Sequence, residues 1–215
     1  MAEETIHLQV ALDLLDIDHA LEIAKQSVDG GADWIEAGTP LIKKNGIVVV
    51  TILKREFPDK VIVADMKTMD TGALEVNMAI DAGADIVSIL GVADDKTIEE
   101  GAKVAHVKNK RIMVDLIGCK NVEERATEVE QLGADILLIH TGIDQQHKGE
   151  TPFENLKKII GKVKIPIAVA GGLNAETAPV AIKEGARIVI VGGAITKAAN
   201  PQAATKEIIN AIKSQ

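Results

Sequence analysis

Gly83-Ala84-Asp85-Ile86-Val87 is one of four copies of a short pattern whose spacing decides the fold. The others are Gly31-Ala32-Asp33-Trp34-Ile35, Gly133-Ala134-Asp135-Ile136-Leu137 and Gly185-Ala186-Arg187-Ile188-Val189. Each follows a helix-like stretch and opens an apolar run. The glycine is placed to close the helix in a left-handed conformation, and the run after it has strand composition. The copies lie about 50 residues apart, twice the length of one strand–helix unit of a small barrel. Between them stand four further strand-like runs, Ile6 to Leu12, Val61 to Ala64, Arg111 to Val114 and Ile165 to Ala170. Helical patterns separate all eight. Ala20, Leu21, Ala24 and Val28 share one face, as do Ile208, Ile209 and Ile212. Eight alternating units without a linker predict an α/β protein, a single (β/α)8 TIM barrel over residues 1–215 with tight loops. A doubly wound open sheet would require a glycine-rich turn after the first strand, where Ala11-Leu12-Asp13-Leu14-Leu15-Asp16 stands instead.

Composition narrows the function. At 215 residues, 47% hydrophobic and 26% charged, the chain can bury a sizeable core. A net charge of -8 argues against nucleic acid and against an anionic membrane surface. Aromatic content of 1%, without tyrosine, leaves no platform for stacking bases. No apolar run approaches the roughly 18 residues of a membrane span, and no signal-peptide core opens the chain. The single cysteine, Cys119, has no partner for an internal disulfide and suits a reducing cytoplasm.

In such barrels chemistry belongs to the C-terminal strand ends. The residues that end the apolar runs are Asp13, Glu36, Asp65 with Lys67, Asp115 and His140. In Asp65-Met66-Lys67-Thr68-Met69-Asp70, strand alternation is expected to bring Asp65 and Lys67 to one face. A structural ion pair explains that segment alone, a helix cap explains Asp115 alone, and a satisfied structural imidazole explains His140 alone. Five converging strand ends with ionisable groups are harder to explain by packing. Like charges brought together raise carboxylate pKa values unless a cation offsets them. Lys67 is one such cation and a divalent metal a natural second. Glu36 and Asp65, on neighbouring strands, are the candidate oxygen ligands, and one or two carboxylates completed by substrate oxygens and water suit Mg²⁺. Mn²⁺ accepts the same ligands. No His/Cys cluster has zinc spacing. The last two strands end in Gly171-Gly172 and Gly192-Gly193, where barrels of this kind hold phosphate through backbone N–H groups. Tight turning is the alternative for each pair. Thr196 adds a hydroxyl or caps the next turn. The residues therefore describe a metal-assisted enzyme acting on a small sugar phosphate through an enolate-like intermediate.

The Asp65-x-Lys67-x-x-Asp70 pattern resembles the signature of the orotidine monophosphate decarboxylase suprafamily, most closely its 3-hexulose-6-phosphate synthase family. Ala11-Leu12-Asp13, Glu36-Ala37-Gly38-Thr39-Pro40-Leu41-Ile42, His140-Thr141-Gly142-Ile143-Asp144-Gln145-Gln146, Thr151-Pro152-Phe153, Val169-Ala170-Gly171-Gly172 and Gly192-Gly193-Ala194-Ile195 carry the likeness along nearly the whole chain. The resemblance implies a reversible aldol reaction of formaldehyde with ribulose 5-phosphate, giving D-arabino-hex-3-ulose 6-phosphate for an isomerase partner. It also implies Mg²⁺ dependence and a homodimer with active sites at the subunit interface. By the same resemblance Glu36 and Asp65 hold the metal, and Lys67, kept in place by Asp13 and Asp70, supports an enediolate. His140 then takes the C1 proton, Asp115 orders substrate hydroxyls, and the glycine pairs take the phosphate.

Two other readings compete. 3-Keto-L-gulonate 6-phosphate decarboxylase shares scaffold, metal and enediolate, but that resemblance implies an arginine in the loop after the sixth strand. Here the loop reads Thr141-Gly142-Ile143-Asp144-Gln145-Gln146. A non-catalytic sugar-phosphate binding module would keep the glycine pairs without needing Glu36, Asp65, Lys67 and His140 together.

Overall fold

In the computed structural model, which describes residues 5–214, all four repeat glycines take positive φ, between 100° and 110°. Each ends a helix by turning the chain where a Cβ would clash with the backbone. The chain then runs β1 (His7–Leu12), α1 (Ile17–Asp29), β2 (Trp34–Ala37), α2 (Thr39–Asn45), α3 (Val48–Glu56), β3 (Val61–Thr68), α4 (Gly72–Asp81) and β4 (Ile86–Leu90). It continues as α5 (Asp95–Val107), β5 (Arg111–Asp115), α6 (Val122–Gln131), β6 (Ile136–His140), α7 (Ile143–Gln146), α8 (Phe153–Ile159), β7 (Ile167–Ala170), α9 (Ala178–Lys183), β8 (Ile188–Val191), α10 (Gly193–Thr196) and α11 (Pro201–Lys213). The eight strands pair in parallel in sequence order, and β8 pairs with β1 to close the barrel. The expected (β/α)8 architecture is the one observed.

The repeat also carries an aspartate that acts at each junction. Asp33 accepts the Leu8 N–H, Asp85 the Ile62 N–H and Asp135 the Ile112 N–H, at 2.9, 2.9 and 2.8 Å. The backbone N–H of each of these aspartates donates to the carbonyl of the same partner residue. Each odd strand is thus tied to its even neighbour at the N-terminal face by a paired bond. Arg187 replaces the acid in the fourth copy, where only the backbone half recurs, to Ile167.

Two hydrophobic layers result. Leu8, Val10, Ile35, Ile62, Val87, Ile112, Leu137 and Val189 face the helices. Ala11, Trp34, Val63, Ile86, Met113, Ile136, Leu138, Ala168 and Ile190 fill the interior. On α1 the buried face is Ala20, Ile23, Ala24 and Ser27, with Leu21 and Val28 at its margin. On α11, Ile208, Ile209 and Ile212 are buried as the spacing predicts.

The departure from simple alternation is in β3, which extends to Thr68. Ala64 pairs with Val87 and Thr68 with Ile89, so three residues of β3 stand against Ser88 alone. Lys67 has φ of 46°, an uncommon conformation for a side-chain-bearing residue, costing about 1–3 kcal/mol. Asp65 and Lys67 do meet, but across a bulge rather than by the regular two-residue period.

Asp85 carries the largest share of this junction network, since Lys54 and Lys110 also pair with it at 3.0 and 2.6 Å. Burial opposes its charged form, but the bonds from Lys110, Ile62 and Lys54 win and hold the carboxyl below the usual range. Asp85→Ala is expected to lower unfolding stability in urea by about 1–3 kcal/mol at neutral pH. Because the folded-state pKa is depressed, the wild-type advantage is complete above the ordinary aspartate value and shrinks as pH falls through the lower folded one. An unchanged gap between the two proteins at pH 7 and pH 3 would remove the carboxylate from this role.

Candidate active site

Strand alternation sends Gln9, Glu36, Asp65, Ser88, Asp115 and His140 into the upper part of the barrel. Glu36, Asp65 and Asp115 are all buried. The Lys67 ammonium lies 2.6 Å from Asp65 Oδ2 and 3.6 Å from Asp115 Oδ2. Thr39 Oγ1 and Ser88 Oγ donate to the two Asp65 oxygens at 2.6 and 2.7 Å. Ser88 Oγ also accepts the Lys67 N–H at 2.9 Å, so one hydroxyl stabilises the bulge and the carboxylate together.

Asp115 has no exposed surface. Its Oδ1 accepts the Ile117 N–H, and its Oδ2 faces His140 Nδ1 at 2.8 Å as well as Lys67. It therefore stands behind His140 and Lys67, contacting both from a fully buried position. It does not cap a helix, since Asn121 caps α6. His140 is partly exposed, and with Nδ1 turned to Asp115 its Nε2 is left to face the mouth.

The electrostatics reflect crowding of acids around one ammonium. Burial would lower the Lys67 pKa, but Asp65, Asp115 and, farther off, Glu36 raise it well above the lysine range. Burial would raise the Asp65 carboxyl, but the charge and hydrogen bond of Lys67, with Thr39 and Ser88, keep it low. Glu36 is pushed well up by burial, then by Asp65 and Asp13, with Lys67 and the Gln9 amide offsetting only part. Asp13, after β1, lies open to solvent at the mouth yet hemmed by protein. Burial and Asp65 raise its pKa against Lys67 and His140. Negative charge is in excess here, and this donor set fits a hard divalent cation at Glu36 and Asp65 with substrate oxygens or water filling the remaining positions. Among the described residues no group of three or more His, Cys, Asp or Glu side chains forms a complete metal cage.

The structure does not bring Asp70 to this cluster. It is exposed beyond β3, and its Oδ1 accepts the Thr71 N–H at 2.7 Å. Within one chain Lys67 is held by Asp65 and Asp115, with Asp13 near enough to interact with its charge. At the end of β7, Gly171 and Gly172 have φ of 118° and 70°. A Cβ on Gly171 would lie 2.6 Å from the Thr141 carbonyl oxygen, so close packing alone requires glycine there. Gly192 caps the short α10, whose first N–H groups, on Gly193 and Ala194, have no partner within the helix. Reading strand ends alone misses Gln9, Thr39 and Ser88. Gln9 and Ser88 each stand in the inward phase of a largely apolar strand, and that phase is the signal that finds them.

Fold and site together define a (β/α)8-barrel enzyme. The Orotidine 5'-phosphate decarboxylase / HUMPS family matches residues 7–208, and the chain belongs to that family. A relative from Mycobacterium gastri named 3-hexulose-6-phosphate synthase is 46% identical, the match covering 95% of this chain and 99% of the relative. A crystal structure of 3-hexulose-6-phosphate synthase from Salmonella typhimurium superposes with a TM-score of 0.94 at 37% identity, over 97% of this chain and 99% of that one. A ligand-bound crystal structure of KGPDC from Streptococcus mutans gives 0.90 at 29% identity, over 97% and 98%.

Ser88→Ala is expected to lower unfolding stability by about 1–3 kcal/mol, since it leaves the buried Asp65 Oδ1 and the Lys67 N–H unpaired at once. Chemical denaturation checks this, and a loss below about 0.5 kcal/mol would show that the bulge does not depend on the hydroxyl.

Proposed function

We propose that the chain is an aldehyde-lyase joining formaldehyde to C1 of D-ribulose 5-phosphate, giving D-arabino-hex-3-ulose 6-phosphate, and catalysing the reverse cleavage. The observation that carries this reading is the Asp115–His140 pair facing the Lys67–Asp65 pair across one barrel mouth. The names of the relatives supply the substrates. Asp115 holds His140 so that Nδ1–H donates to its carboxylate and Nε2 carries the free lone pair. Nε2 takes the proton from C1, and the C–H electron pair moves into the sugar's enediolate. Lys67 donates toward the developing oxyanion from a position set by Asp65 and Asp115. C1 then attacks the formaldehyde carbon, and the alkoxide formed there recovers the proton from His140. Glu36 and Asp65 would hold Mg²⁺, or Mn²⁺ in its place, which when bound supplies positive charge against the sugar's oxygens. The N–H groups of Gly172, Gly193 and Ala194 are assigned to the phosphate.

The alternative, 3-keto-L-gulonate 6-phosphate decarboxylase, is disfavoured by the arginine-free segment from Thr141 through α7. A non-catalytic module is disfavoured by the aligned Asp115–His140 pair. We also assign the protein to a homodimer and to the cytoplasm. Met69, Leu74 and Met78 form an exposed apolar patch around Asp70, which suits a subunit contact that would bring Asp70 near a partner's site. The Cys119 thiol, pushed up by burial, suits a reducing compartment, and among the described residues no helix is long and apolar enough to cross a membrane.

Incubation with formaldehyde, ribulose 5-phosphate and Mg²⁺ is expected to consume formaldehyde. CO2 release from 3-keto-L-gulonate 6-phosphate with no formaldehyde loss would overturn the assignment, and binding of ribulose 5-phosphate without either turnover would favour the module. His140→Ala should lower kcat by about a hundredfold or more while phosphate affinity stays within a few-fold. Turnover unchanged by that substitution would sink the role given to Nε2. For the dimer, Leu74→Asp should shift sedimentation toward the monomer, and a dimer that persists would move the contact elsewhere.

A further inference from the structure

At the opposite end of the barrel, a cavity of about 560 Å3 opens among the strand starts. Trp34 forms its floor. The His7 ring stacks on the indole with centroids 4.8 Å apart, and the Arg111 guanidinium lies 5.2 Å from its centre. Arg187 and Lys164 complete the wall. A cavity with three cations is notable in a protein of net charge -8.

Several basic side chains on this face stand against acids. Lys54 and Lys110 share Asp85, and His106 faces Asp135. Arg111 differs. Among the described residues it has no carboxylate within ion-pair distance, and its contact is the Trp34 π face. Lys164 likewise has none. Asp33, the carboxylate that faces His7, has Oδ2 committed to the Leu8 N–H. His7 Nδ1 is buried without a hydrogen-bond partner. Burial lowers the His7 pKa, with Asp33 opposing this and Arg111 adding a smaller push in the same direction as burial.

We propose that this cavity is a second ligand site, taking a small organic phosphate at the N-terminal mouth of the barrel. A guanidinium offers paired N–H donors that match phosphate oxygens in a fork and stays charged at any physiological pH. Its stacking on Trp34 holds the plane in place before a ligand arrives. Buried polar atoms without partners are rare in native proteins, and His7, whose Nδ1 is one, is among the residues that line the cavity. The volume is in the ordinary range for small-molecule sites and exceeds what a bare oxyanion fills, which favours the ester. None of these residues belongs to the cluster at the other end of the strands.

Trp34 is the only tryptophan and the chain has no tyrosine, so intrinsic emission comes from the residue at this floor. The experiment titrates the full-length protein with inorganic phosphate and with ribose 5-phosphate, following that emission. A saturable change is expected, tighter for the ester, with Kd weakened roughly ten- to hundredfold in Arg111→Gln. Trp34 lies two residues before Glu36, so a ligand at the upper site could also perturb it, and Arg111→Gln separates the two sites. Lys164→Gln, at an exposed position where the fold is not at stake, should weaken binding several-fold. Absence of a saturable change with either compound, or a transition that both substitutions leave intact, overturns the proposal. Equal affinity for the two compounds overturns its assignment to an ester.

Discussion

At the C-terminal mouth of the barrel the Lys67 ammonium stands 2.6 Å from Asp65 and 3.6 Å from the fully buried Asp115, with Glu36 and Asp13 close enough to feel its charge. Four carboxylates around one ammonium would be untenable in a dry interior without it, since removing one partner of a buried ion pair costs about 3–5 kcal/mol. The same cation explains opposite behaviour in neighbouring acids. Asp65, in direct contact, stays ionised, while Glu36, buried, farther from the ammonium and pressed by two other acids, is pushed toward the neutral form. Negative charge thus remains in excess at the mouth around a single ammonium, which is the electrostatic basis of the metal site proposed there.

Placing the ammonium there requires strained backbone. A regular strand would carry Lys67 onward with the twist of the sheet. The bulge opposite Ser88 instead shortens the path and turns the side chain back toward Asp65 and Asp115. The Ser88 hydroxyl replaces ladder bonds that the bulge removes. Strain at this one residue is sustained because the strands on either side are tied at their other ends by the aspartate junctions.

Much of this was legible from residue types. The fourfold Gly-Ala pattern, with Asp next in three copies and Arg in the fourth, announces the strand–helix alternation, because a left-handed glycine and an apolar run each have few structural uses. Glu36, Asp65, Asp115 and His140 share one inward phase with Gln9 and Ser88, and a period of two finds them all once the strands are known. Asp70 looks equivalent to Asp65 in the motif, yet its side chain turns to its own backbone at Thr71. Gly171 looks like a phosphate residue and is required first by its contact with Thr141.

The amino-acid sequence by itself determined the eightfold alternation, the closed parallel barrel and the identity of the ionisable strand ends, because these depend on local periodicity and on residues that few other conformations tolerate. Only the tertiary structure decided which acid serves which cation. Asp115 came to lie fully buried against His140, and Lys67 reached Asp65 through a bulge. Arg111 was left facing an aromatic ring with no carboxylate of the described residues within ion-pair distance. Such pairings depend on distances of a few tenths of a nanometre between residues far apart in the chain, and these are set by barrel closure and register, which no local pattern encodes.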